Sequence, residues 1–384
     1  TEMSYLKYSA NELFTGTELL DNNAVLITTK DGTIEAIVSI EDAGENVQTF
    51  DGIVSPGFVN AHCHTELSHL KDCIPTKTGL TNFILEIVQQ RNASNEIIAQ
   101  AVQNAENEML QNGIVAVGDI CNNTHSLLQK KQSKLQWYNF IEAAGWLPQV
   151  AQSRFEVMQQ VAEQFAKLPY QYAIVPHAPY SVSNELWQLI NHNFLYKTIS
   201  IHNQETLAED ELFMKGTGSF IDMYTKMRIE HSTFKPTKES SFKTCLPKLK
   251  NAKQLLFVHN TFTQQEDVDF LIDAKLQSAA FFCLCVNANL YIENTLPNIE
   301  LLRKNKLNIV LGTDSLASNH SLNMLDEMNT IQQHFPQIPL AEILQWATLN
   351  GAKALQMENT LGSFEKGKKP AVVLIQNKQA KRLI

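Results

Sequence analysis

Gly57-Phe58-Val59-Asn60-Ala61-His62-Cys63-His64-Thr65-Glu66 is the stretch whose reading decides the fold. An apolar run from Ile53 to Val59 leads into two histidines two residues apart, and on a strand side chains at that spacing point to the same side. Two neutral imidazoles can then face one divalent ion. Working outward, other apolar, β-branched runs also end in His or Asp: Tyr172 to His177, Thr198 to His202, Leu255 to His259 and Asn308 to Asp314. The polar residue always comes at the C-terminal end, which is where a parallel α/β barrel gathers its catalytic residues.

From Ile53 onward, strand-like runs alternate with amphipathic helical stretches, the pattern of a parallel sheet with crossover helices. A helical region from about Asn82 to Asn112 leads to a second strand, Gly113 to Ile120. Trp137 to Glu142 reads as the third, Tyr172 to His177 as the fourth and Thr198 to His202 as the fifth. Gln254 to His259, Ser278 to Cys285 and Asn308 to Asp314 follow as sixth, seventh and eighth. Eight strands in this alternation predict an α/β architecture, a (β/α)8 TIM barrel over residues 53–361. Residues 1–52 read as short strands, with a hairpin turn at Lys30-Asp31-Gly32-Thr33, and Ala371 to Ile375 supplies a partner strand. Residues 1–52 together with 362–384 are therefore expected to form a small β-sandwich domain. The span between His202 and His259 is too long for a simple crossover; it predicts a lid or substrate wall, at its plainest a surface loop with one extra helix.

With 384 residues and 44% hydrophobic composition, the chain can bury a large core. A formal net charge of -9 without a basic stripe argues against a nucleic-acid or anionic-membrane partner and leaves a small-molecule substrate as the expectation. No apolar run is long enough to span a bilayer, and Thr1-Glu2-Met3-Ser4-Tyr5 lacks a basic region followed by an apolar one. A cytoplasmic protein is expected, and a homodimer is compatible with that. Six cysteines are too sparse for a disulfide scaffold in a chain this long, so the thiols read as reduced. Cys283-Leu284-Cys285 finds no second pair to complete a zinc site and reads as buried strand.

His62 and His64 on the first predicted strand, His202 on the fifth and Asp314 on the eighth would converge at one mouth of the barrel. Three imidazoles and one carboxylate suit a single divalent ion, Zn²⁺ first and Fe²⁺ second, with a position left for water. Such an ion lowers the pKa of that water toward neutrality. One buried histidine is more often a satisfied core residue, but four ligand-type residues ending barrel strands favour a metal site. Glu205, three residues after His202, is placed to pass a proton to the substrate; the plainer reading is a helix-start glutamate favoured by the dipole. His259 could bind the ion or hydrogen-bond the attacking water. His177 could be a ligand, a substrate contact or a structural histidine.

The motifs Pro56-Gly57-Phe58-Val59-Asn60-Ala61-His62-Cys63-His64, Val175-Pro176-His177-Ala178-Pro179-Tyr180-Ser181-Val182-Ser183, His202-Asn203-Gln204-Glu205-Thr206 and Gly312-Thr313-Asp314-Ser315-Leu316-Ala317-Ser318-Asn319 together resemble the amidohydrolase superfamily. The likeness is closest to its nucleoside and heterocycle deaminases, of the methylthioadenosine/S-adenosylhomocysteine, aminodeoxyfutalosine and guanine types, and to the related chlorohydrolases. The resemblance implies one metal held by His62, His64, His202 and Asp314, with Glu205 as proton shuttle and His259 polarising water or substrate. It also implies that His177 contacts the substrate; for a deaminase, Asp314 is expected to carry a proton toward departing ammonia, and Glu66, directly after the His-x-His-Thr motif, and Ser315 are expected to face the substrate. No lysine stands at the fourth-strand position where two-metal relatives carry a bridging carbamate, which favours a single ion. Two departures stand out: Cys283-Leu284-Cys285-Val286-Asn287-Ala288-Asn289 replaces the usual Cys-Pro-x-Ser-Asn, and the segment after Lys71 lacks a Trp-containing helix with a ribose-binding glutamate. The implied activity is metal-dependent hydrolytic deamination of an amino-substituted, purine-like heterocycle or nucleoside, leaning to the aminodeoxyfutalosine type. Hydrolysis of a carbon–halogen bond or cyclic amide is the alternative on the same scaffold. A barrel that only binds a ligand is the non-enzyme alternative, and the intact ligand and acid set counts against it.

Overall fold

The computed structural model describes residues 5–384, so the reading of Thr1 to Ser4 lies outside the described residues. Seven strands from the two ends of the chain pair as one mixed sheet. They are β1 (Tyr5–Phe14), β2 (Leu19–Asp21), β3 (Ala24–Thr29), β4 (Ile34–Ser39), β5 (Gln48–Pro56), β14 (Val372–Gln376) and β15 (Gln379–Arg382). The order is β15-β14-β5-β1-β3-β4, with β2 on β1. The turn expected at Asp31-Gly32 joins β3 to β4 as an antiparallel pair, and Gly32 supplies the positive φ of 86° it needs. The pairing gives one continuous sheet where the sequence reading expected a two-layered sandwich. This sheet has its own small core, in which Tyr8, Leu13, Leu26 and Val54 pack with Phe364 and Val372.

The apolar run from Ile53 to Val59 is not one strand. Residues up to Pro56 belong to β5 in the terminal sheet, and β6 begins at Phe58. Gly57 makes the passage between them, because a Cβ there would lie 2.3 Å from Val115 Cγ1 and 2.8 Å from the Pro370 carbonyl oxygen. Hydrophobicity alone cannot show such a passage, since both sides of it are buried.

Beyond Gly57, two parallel four-stranded sheets form. The first is β6 (Phe58–Cys63), β7 (Ile114–Cys121), β8 (Gln136–Ala143) and β9 (Gln171–Pro176); the second is β10 (Thr198–Asn203), β11 (Gln254–His259), β12 (Ala280–Leu284) and β13 (Asn308–Leu311). Every residue of β6, β7, β10 and β12 is buried, as expected for parallel strands covered on both faces. The sheet edges meet through named hydrogen bonds. The His202 N–H donates to the His177 carbonyl at 2.9 Å, and the Thr313 and Asp314 N–H groups donate to the His62 carbonyl at 3.1 Å each. Asn60 reinforces the second seam, donating from Nδ2 to Thr313 Oγ1 at 2.7 Å and accepting from the Thr313 N–H at 3.0 Å.

Two helical expectations change. The region from Asn82 to Asn112 is two helices, Leu80–Gln90 and Asn95–Gln111, because Ser94 caps the second by accepting from the Ile97 N–H. The span from His202 to His259 carries three helices, Leu207–Lys215, Ser219–Lys226 and Ser241–Leu249, where the plain reading expected one. Gly216 ends the first of these in a left-handed cap with φ 72°. Among the described residues no helix is long and apolar enough to cross a membrane. All six cysteines are free, and all but Cys73 are buried.

Candidate metal centre and active site

His62 and His64 stand at the end of β6, His202 in β10, and Asp314 three residues past β13. Their donor atoms gather around His64 Nε2. His64 Nε2 lies 3.1 Å from His62 Nε2, 3.3 Å from His202 Nε2 and 3.3 Å from Asp314 Oδ1, and His62 Nε2 is 3.3 Å from the same oxygen. One N–H can serve only one of these contacts, so hydrogen bonding within the group does not account for the convergence. A tetrahedral ion with bonds of about 2.0–2.1 Å requires ligand atoms about 3.3–3.4 Å apart, close to the observed spacings. His202 Nδ1 donates to the His177 carbonyl at 2.9 Å, which fixes the tautomer and leaves Nε2 as a lone pair. Burial holds the His202 pKa down to about 3 against the pull of Glu142. Burial works against ionisation of Asp314, but His62, His64 and His259 outweigh it and keep the carboxyl below its usual range. Neutral imidazoles and an ionised carboxylate are the states a divalent ion takes as ligands, so the donor set fits such an ion.

Beside this cluster stand Glu205 and His259. Glu205 Oε1 is 3.5 Å from His259 Nε2. His259 Nδ1 donates to Asn289 Oδ1 at 2.9 Å, leaving Nε2 as an acceptor, and burial keeps the ring neutral with a pKa of about 4. Burial, followed by the charges of Asp314, Glu209 and Glu293, pushes the Glu205 carboxyl well above its usual range. The protonated form is thereby favoured, and a buried carboxylic acid can give a proton to a ring nitrogen. Left-handed backbone marks this region: φ is 45° at Gln204, 79° at His259 and 58° at Asp314. Such conformations persist where surrounding contacts over-determine them, as they do at functional sites.

A cavity of about 420 Å³ opens above the cluster. His64, His177, His202, Glu205, His259, Asp314 and Ser315 all line it, so the structure brings together most of the residues singled out in the sequence. The helix Leu80–Gln90 supplies an apolar wall through Phe83, Ile84 and Ile87. The inserted segment supplies another through Met223, Tyr224 and Met227. His177 Nδ1 and Ser181 Oγ are hydrogen-bonded at 2.7 Å, leaving Nε2 free. Glu66 is not among the lining residues. It sits in the short helix Thr65–Leu70, turned so that Oε2 accepts the Asn122 N–H at 2.9 Å, while burial and then Asp119 raise its pKa to about 8.

Two residues at the site were missed. Glu142, at the end of β8, lines the cavity with Oε2 buried and without a hydrogen-bond partner. Its position at a strand end was a usable signal, as it was for the histidines. Asn289 fixes His259 from the segment that departs from the familiar motif; nothing local in the sequence announces that contact.

Comparison with known proteins agrees with this geometry. The Amidohydrolase family model matches residues 53–382. An adenosine deaminase of Helicobacter pylori is 28% identical over 329 residues, covering 83% of this chain and 78% of the relative. A 5-methylthioadenosine/S-adenosylhomocysteine deaminase of Teredinibacter turnerae is 27% identical over 344 residues, covering 84% and 71%. The crystal structure of Helicobacter pylori aminofutalosine deaminase with methylthio-coformycin superposes with a TM-score of 0.84 at 24% identity, covering 99% of this chain and all of that one. By its motifs, its donor cluster and a family match spanning most of its length, the chain belongs to the amidohydrolase family of hydrolases.

Proposed function

We propose that this hydrolase is a deaminase that releases ammonia from an amino-substituted, purine-like nucleoside, of the adenosine, methylthioadenosine or aminofutalosine type. The observation that carries the reading is the four-atom donor cluster at the floor of a cavity of about 420 Å³, with a buried acid beside it. His62, His64, His202 and Asp314 would hold one divalent ion, Zn²⁺ by preference and Fe²⁺ next, because the same nitrogen and oxygen donors suit both. When bound, such an ion supplies Lewis-acid charge and a water of lowered pKa.

The chain's own groups handle the protons. Glu205 gives its proton to the ring nitrogen next to the amine-bearing carbon as a water oxygen bonds to that carbon. Asp314 takes one proton from that water and passes it to the amino group, whose bond to carbon breaks as ammonia leaves. The remaining hydroxyl proton restores Glu205 as the carbonyl forms, so atoms and charges balance. The Nε2 lone pair of His259 is available to orient the water. His177 and Ser315 would contact the substrate from the cavity wall; Glu66, held by Asn122, would act on it only through the turn that carries His64.

We also read the two parallel sheets as halves of one closed eight-stranded barrel. The hydrogen bonds at both seams support this. Residues 53–361 would form that catalytic unit, and residues 1–52 with 362–384 an accessory β unit. The test is ammonia release by the purified protein from adenosine, methylthioadenosine, S-adenosylhomocysteine, aminofutalosine, guanine and a chlorotriazine. Turnover of at least one adenosine-type nucleoside is expected. Chloride release from the triazine without ammonia from any nucleoside would overturn the reading.

A further inference from the structure

Thr206-Leu207-Ala208-Glu209 opens the helix Leu207–Lys215 with the sequence of a capping box. In that motif the glutamate three residues past the cap reaches back to the N–H of the cap residue itself. Here it reaches further. Glu209 Oε1 accepts the Gln204 N–H at 3.1 Å and Oε2 accepts the Glu205 N–H at 3.3 Å, so one carboxyl group grips two consecutive backbone amides ahead of the cap. Glu209 is completely buried, which is unusual for a helix-start acid whose service is to the dipole.

The gripped turn is held from every side. Gln204 has left-handed backbone with φ 45°, an unfavourable state for a residue with a side chain. Its carbonyl accepts the Phe262 N–H at 3.0 Å. Its side chain accepts from Thr263 Oγ1 at 2.8 Å and donates to Asp267 Oδ2 at 2.9 Å and Asp210 Oδ2 at 3.2 Å. Of these anchors, only Glu209 holds the amide of Glu205, the residue whose side chain must face both His259 and the substrate.

We propose that Glu209 is a positioning residue: by binding the Gln204 and Glu205 amides it fixes the turn that aims the Glu205 carboxyl into the cavity. The proposal rests on the deaminase reading for its kinetic consequence and on the fold alone for its structural one. Displacing a reacting group by about 1 Å can cost on the order of a hundredfold in rate. Glu209→Gln offers one acceptor where two are needed. It is expected to lower kcat by about ten- to a hundredfold with KM within about threefold and metal content unchanged. In the Glu205→Gln background the same substitution should add no further loss, because its effect passes through Glu205.

The test pairs this double-mutant cycle with backbone amide hydrogen exchange of residues 203–206, which needs no turnover. Exchange about tenfold faster in Glu209→Gln is expected there. Unchanged exchange overturns the proposal whatever the activity, and so do independent, multiplicative rate losses in the double variant. If the wild type turns over no nucleoside, the deaminase reading fails while the exchange result still decides the positioning. Should Glu209→Gln not fold, Glu209→Asp withdraws both oxygens by one methylene and carries the same measurements.

Discussion

Replacing Glu205 by Gln removes a transferable proton while keeping the shape and reach of the side chain. Glu205 is 4% exposed and its carboxyl pairs with His259 rather than with the cluster of His62, His64, His202 and Asp314. The variant is therefore expected to keep its metal and to bind substrate as before. Positioned acid–base catalysis is worth roughly 10²–10⁴ in rate, or about 2.7–5.4 kcal/mol of barrier. Because the side chain is buried, bulk water is a poor substitute donor, and a loss of about 10³–10⁴ in kcat is expected. The alkaline limb of the kcat profile, set by loss of the Glu205 proton, should disappear as well. The assay is ammonia release at saturating substrate, with metal content measured on the same sample. Normal turnover would refute the proton-transfer role, and loss of metal would make Glu205 a ligand.

His202→Ala should lose most bound metal and activity together, measured by elemental analysis; full occupancy would mean the ligand set is wrong. Lys130 is completely buried with its Nζ 2.5 Å from Asp119 Oδ2, and Asp119 in turn accepts the Thr65 N–H at 2.8 Å just past His64. Lys130→Met strands that carboxylate and should cost about 3–5 kcal/mol in urea unfolding; a loss under about 1 kcal/mol would contradict the account. Glu66 has its folded pKa raised from 4.5 to about 8, so the native state holds its proton more tightly than the unfolded chain does. Its contribution to stability is complete below about pH 4.5 and is lost as pH rises toward 8. Glu66→Gln should flatten the fall in unfolding free energy across that window; an unchanged slope would show that Glu66 ionises normally in the fold.

The four candidate donor residues were legible because strand-end placement is a local signal: a β-branched run that stops at a histidine or aspartate can be read from one segment at a time. The parallel strands were legible for the same reason. The passage from β5 to β6 was not read, although Ser55-Pro56-Gly57 interrupts the apolar run from Ile53 to Val59; the crowding of Gly57 against Val115 and Pro370 shows why a glycine makes the passage. Nearness to His64 in sequence does not set the direction of Glu66: the short helix after His64 turns its Oε2 onto the Asn122 N–H. Asn289 on His259 and Asp119 on Thr65 are contacts in which the partner's sequence gives no periodic or positional sign. In Glu209 there was a sign, the Thr-x-x-Glu pattern, but it pointed to an ordinary helix cap.

The central claim, hydrolytic replacement of an amino group, is tested most directly by the mass of the product formed from an adenosine-type nucleoside in ¹⁸O-labelled water. The account predicts an intact nucleoside whose ring amino group has been replaced by one labelled oxygen, with one ammonia released per product. A free base from cleavage at the sugar, or a product in which the ring carbon carries no label, would contradict it.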